Sequence, residues 1–120
     1  MNTLDKNIIA QFNKFKKYQV LRSSTKYELA LKVLDDLIND YPNNVLYAWE
    51  IGYLYIYMNL FEEAIKAFRN TISLDASCLP AWGGLGHAYF EMSQWDEAKI
   101  AFRKRLQLAK SPNHYVFLSL

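Results

Sequence analysis

Asn59-Leu-Phe-Glu-Glu-Ala-Ile-Lys-Ala-Phe-Arg69 is answered, 34 residues on, by Ser93-Gln-Trp-Asp-Glu-Ala-Lys-Ile-Ala-Phe-Arg103. Within the two stretches Ala64 pairs with Ala98 and Phe68 with Phe102; outside them Gly52 pairs with Gly86 and Tyr55 with Tyr89. A further step of 34 back reaches Ala30, Leu34 and Tyr27, the last in the place of Phe61 and Trp95. Self-similarity at such a period marks stacked supersecondary units, none of which can bury its apolar face alone. The frame divides the chain into Gln11–Asn44, Val45–Cys78 and Leu79–Pro112.

Each unit reads as two helices. Phe61, Ala64, Ile65, Phe68 and Ile72 recur at steps of three and four, which is one face of a helix. Thr25 with Glu28, Asn59 with Glu62 and Ser93 with Asp96 have the spacing of a capping box: a side-chain acceptor for a free backbone N–H, and an acid three residues on. A second series, Asn43, Ser77 and Ser111, opens the other helix of each unit, with Pro112 suited to a first turn. The spacing predicts helices over Thr3–Arg22, Lys26–Tyr41, Val45–Met58, Leu60–Asp75, Leu79–Met92 and Gln94–Ala109. Small residues have a steric role here. Gly52 and Gly86 on first helices, and Ala64 and Ala98 on second ones, let paired backbones approach.

The pattern resembles the tetratricopeptide repeat (TPR). The third unit carries it in Trp82, Leu85, Gly86, Tyr89, Ala98 and Phe102; the second in Ile51, Gly52, Tyr55, Ala64 and Phe68, with Ala48 at the usual tryptophan. The first unit matches only through Tyr27, Ala30, Leu34 and Pro42, because Lys14, Lys17 and Tyr18 stand at apolar and glycine positions of the family. The resemblance implies an all-α chain: a right-handed superhelix of antiparallel helix pairs, in one domain spanning 1–120, ending in a partial helix over 112–120. Leu4, Ile8, Phe12, Phe15, Tyr18 and Leu21 form a stripe at helical spacing, so the first helix is expected to cap the open end of the stack.

Composition sets outer limits. The chain has 120 residues, enough for one core, and 52% of them are apolar or aromatic, which argues against disorder. A net charge of +2 gives no reason to expect nucleic acid. The charge is patterned, however: seven Lys/Arg against two Asp/Glu up to Lys32, two against ten from Val33 to Glu97, and five against none thereafter. Cys78 is the sole cysteine, which fits a reducing compartment, and the cytoplasm is the expected location. The N-terminus lacks the apolar run of a secretory signal. Val45 to Phe61 is apolar, but Glu50, Gly52 and Asn59 interrupt it, so a buried helix is expected in place of a membrane span.

The resemblance also places a site. In TPR proteins the ligand lies in a concave groove lined by the first helix of each unit. Carried across, the groove positions fall on Leu46, Trp49, Glu50, Tyr53, Ile56 and Tyr57, and on Pro80, Gly83, Gly84, His87, Phe90 and Glu91. The first unit adds Phe15, Lys16 and Gln19. Trp49, Tyr53 and Tyr57 follow at steps of four on one face, opposite Gly83 and Gly84, whose missing side chains leave room for a ligand or for Trp49 itself. The implied function is a protein-interaction module, an adaptor or small chaperone, binding an extended apolar peptide through these residues. Members that hold chaperone tails grip a carboxylate with Lys, Asn and Arg; at those positions stand Phe15, Gln19, Glu50, Pro80 and Gly84, so that activity is not expected. Two alternatives are a bacterial secretion chaperone and a self-associating assembly subunit. No catalytic motif, phosphate loop or metal-ligand spacing is present, His87 and His114 being far apart, so neither an enzyme nor a cofactor is expected. The apolar ending Tyr115-Val116-Phe117-Leu118-Ser119-Leu120 suggests a homo-oligomer formed through the C-terminal end.

Overall fold

The computed structural model describes residues 2–110. It contains α1 (Thr3–Ser23), α2 (Tyr27–Asp40), α3 (Val45–Tyr57), α4 (Phe61–Leu74), α5 (Leu79–Glu91) and α6 (Trp95–Ala109), with no strand among the described residues. The helix boundaries expected from the period are met to within a residue. Pro112, the partial helix over 112–120 and the C-terminal contact lie outside the described residues. Consecutive helices joined by short turns pack as the pairs α1–α2, α3–α4 and α5–α6, and α2 on α3 and α4 on α5 link the pairs into a stack.

The capping-box expectation fails at all three sites, for one reason. Thr25, Asn59 and Ser93 adopt φ of 59°, 60° and 58°, the left-handed region, so they end the preceding helix and do not cap the next. The N–H of Lys26 bonds the carbonyl of Leu21 and that of Thr25 the carbonyl of Arg22; Leu60 to Tyr55 with Asn59 to Ile56, and Gln94 to Tyr89 with Ser93 to Phe90, repeat the arrangement. This is the Schellman closure, which satisfies last-turn carbonyls through a left-handed residue. The N-caps are instead Lys26, Leu60 and Gln94, none with a side-chain cap bond. Glu28, Glu62 and Asp96 remain in first turns, where they face the positive end of the helix dipole. In the second series the cap shifts by one residue: Asn44 accepts from the N–H of Tyr47 at 3.0 Å, and Cys78 occupies the matching place. Ser77 donates to Asp75.

Two core clusters run along the stack. One gathers Tyr18, Leu34, Leu37 and Leu54, the other Ala64, Phe68, Leu85, Tyr89 and Ala98, and Tyr55 touches both. The α1 stripe reaches the core only over its second half. Tyr18 is buried, while Leu4, Ile8 and Phe12 are 56–66% exposed. The repeat frame explains this: α3 begins at Val45, whose counterpart is Gln11, so α1 starts eight residues before the stack offers it a partner.

Candidate functional site

The first helices of the pairs, α1, α3 and α5, carry the expected groove positions, and those of α3 are largely aromatic. Trp49 packs edge-on against Tyr53 with centroids 5.8 Å apart, and Tyr53 edge-on against Phe68 at 5.1 Å. The Tyr53 hydroxyl donates to the carbonyl of Pro80 at 2.9 Å, tying α3 to α5. Burial raises the Tyr53 phenol above its ordinary pKa, against the opposing pull of the Arg105 guanidinium. Tyr57 is half exposed and stacks on Tyr27 at 6.0 Å; Phe90 is half exposed and meets Trp95 edge-on at 5.1 Å. Phe15 stacks on Tyr18 and leans on Tyr47.

Two of the expected site residues are used by the core. Ile56 is 7% exposed and belongs to the second cluster. Glu50, 6% exposed, accepts from the Tyr18 hydroxyl and from the Arg22 guanidinium, both at 2.7 Å. A buried carboxylate needs such partners, because an unpaired charge there costs several kcal/mol. Glu50 therefore fastens α1 to α3, which compensates for the poor match of the first unit. Burial, and then the bond to Glu50, push the Tyr18 phenol well above the usual tyrosine range.

The adjacent glycines have opposite uses. Gly84 is buried against the ring of Phe68, which is fully buried and also lies against Gly52. The space expected at Gly84 for a ligand or for Trp49 is thus filled by Phe68 from α4. At Gly83 the nearest atoms to an added Cβ are Cδ and Nε of Arg105, both at 3.1 Å, and the Tyr53 hydroxyl at 3.7 Å. Around it Tyr53, Gly83, His87, Phe90, Glu91, Phe102 and Arg105 line an open recess of about 550 Å³. His87 and Glu91, one turn apart, stand 3.6 Å from each other. Phe102 and Arg105 were not expected here. They sit on α6, a second helix, whereas the carried-over positions were all on first helices.

Residues 47–78 and 79–112 match the family model described as tetratricopeptide repeat, and 17–44 match a second model with the same description. The chain belongs to the tetratricopeptide-repeat family. Among curated TPR relatives, anaphase-promoting complex subunit 6 of Arabidopsis thaliana is 29% identical over 73 residues, 61% of this chain and 13% of its own length. Anaphase-promoting complex subunit cut9 of Schizosaccharomyces pombe is 26% identical over 99 residues, 82% of this chain and 15% of its own. The chain thus spans about a seventh of the length of these relatives. The solved structure of the second TPR of Spaghetti (RPAP3), bound to the HSP90 peptide SRMEEVD, superposes with a TM-score of 0.78 at 24% identity, covering 89% of this chain and 99% of that one. At that identity the likeness shows the TPR fold. Among the described residues no helix is long and apolar enough to cross a membrane.

Proposed function

We propose that this TPR chain is a protein-interaction module, an adaptor or small chaperone, that holds an extended apolar segment of a partner in its concave groove. The observation that carries the reading is the Trp49–Tyr53 pair, whose Tyr53 also lines the recess over Gly83 together with His87 and Phe90. Half-buried aromatics combine a large apolar contact area with little side-chain entropy to lose, the usual make-up of interface hot spots. The HSP90 peptide bound by the second TPR of Spaghetti (RPAP3) is a ligand of that protein. Here Pro80 and Gly84 offer no side-chain donor for a terminal carboxylate, and Glu50 is already engaged by Arg22.

Calorimetry with the partner that copurifies with the chain tests this. Trp49→Ala and Tyr53→Ala should each weaken binding by about 1–3 kcal/mol relative to Lys66→Ala on α4. Equal affinity for all three variants would remove the groove from consideration. Self-association is the second reading, supported by the α6 surface, where Phe102 is 43% exposed although its counterpart Phe68 is fully buried under α5. Light scattering at micromolar and higher concentration should then report a dimer or larger, reduced by deletion of Asn113–Leu120; a monomer throughout would dismiss that reading.

A further inference from the structure

The acidic excess in the middle of the sequence does not reach the groove. Of the ten Asp/Glu between Val33 and Glu97, only Glu50 and Glu91 stand on α3 or α5. The others lie on α2, α4 and α6 or at the end of α4. Glu50 is matched from within by Arg22, while Glu91 lines the same recess as Arg105 and stands 3.6 Å from His87. The cations are not matched in the same way. Among the described residues neither Lys16 nor Arg105 stands in an ion pair. Lys16 reaches over the Phe12 ring of its own helix, at 5.7 Å.

Arg105 is the better placed of the two. Its counterpart in the repeat, Thr71, is fully buried and bonds back to its own helix at Ala67. Arg105 instead lies with Cδ and Nε against the bare backbone of Gly83, in the recess shared with Tyr53, Phe90 and Phe102. Arg105 is exposed to solvent, but its side chain is placed beside Gly83 and the aromatic walls of the recess, where a carboxylate reaching it can accept two parallel N–H bonds. The recess thus sets an apolar seat directly beside a cation.

We propose that the groove selects an extended peptide carrying a large apolar residue next to an acidic one, the apolar side chain seated over Gly83 between Tyr53 and Phe90 and the carboxylate held by Arg105. This rests on the groove reading above and narrows it to a ligand class. The carboxylate recognised is that of a side chain, so both peptide ends are free to run on, and complementarity of charge supplies the specificity.

The probe is an acetylated, amidated peptide of about nine residues, with phenylalanine at its centre, glutamate on both sides and serine elsewhere. A second peptide replaces each glutamate with glutamine. By calorimetry at low salt, the glutamate peptide should bind about tenfold tighter, and Arg105→Gln should remove most of that margin while changing the glutamine peptide less than about twofold. Trp49→Ala should weaken both. Unchanged affinity of the glutamate peptide for the Arg105→Gln variant, or no binding at about 1 mM, overturns the inference. Equal binding of both peptides, still lost in Trp49→Ala, overturns it too but leaves the groove reading standing. Binding indifferent to both variants removes the two together.

Discussion

Gly84→Ala is the most discriminating change the packing offers. In an ordinary helix, replacing glycine with alanine gains up to about 1 kcal/mol through the backbone entropy of the unfolded chain. At position 84 the added Cβ would lie 2.6 Å from Cε1 and Cε2 of Phe68, and closer still to Cζ. The ring has no free side to move toward. It is 0% exposed, and a Cβ on Gly52 would meet its Cε1 at 2.5 Å. Forcing that contact apart belongs at the upper end of the usual overpacking cost of about 1–3 kcal/mol. After the helix gain, a net loss of about 1–2 kcal/mol remains. In a domain of this size that lowers the melting temperature by roughly 4–8 °C per kcal/mol. The adjacent Gly83→Ala is the internal control. Its closest neighbours are Cδ and Nε of the flexible, exposed Arg105 side chain at 3.1 Å, which can give way, so it should stabilise by about 0.5–1 kcal/mol. Urea unfolding of both variants, with Phe68→Leu/Gly84→Ala as the rescue, reads the difference directly. If Gly84→Ala and Gly83→Ala were equally stable, the wedge of Phe68 between two glycines would be the wrong account of how α4 joins α5.

Three further outcomes follow from the same geometry. Thr25→Gly should stabilise by about 0.5–1 kcal/mol, because a β-branched residue is strained at φ 59° and glycine is not; thermal melts with no gain would contradict the strain. Tyr18 keeps its proton in the folded chain to a higher pH than in the unfolded one, so its contribution is full below about pH 10 and falls by about 1.4 kcal/mol per unit above it. Tyr18→Phe should flatten that alkaline loss in urea titrations at about pH 9 and about pH 11, and parallel profiles would show that the buried phenol is not its source. Ala98→Leu, at a site 3% exposed, should cost about 1–3 kcal/mol by crowding the α5–α6 crossing, and an unchanged melting curve would misplace that contact.

Among the described residues, the sequence alone determined the six helices, their ends to within a residue, and their pairing. Those properties depend on a 34-residue period and on apolar spacing within single helices, which are local and survive without coordinates. It also marked the aromatic face of α3, since Trp49, Tyr53 and Tyr57 align by helical geometry alone. It misassigned Thr25, Asn59 and Ser93, because their side chains are good N-cap formers, and only the positive backbone dihedral shows that they end the preceding helix. Which of two neighbouring positions turns inward was decided by tertiary structure. Glu50 became an anchor because Tyr18 and Arg22 arrive from α1; Gly84 became a wedge site because Phe68 arrives from α4; Gly83 stayed open under Arg105 from α6. In each case the deciding partner is 16 to 32 residues away in sequence, on another helix, and no periodicity within one helix encodes its approach.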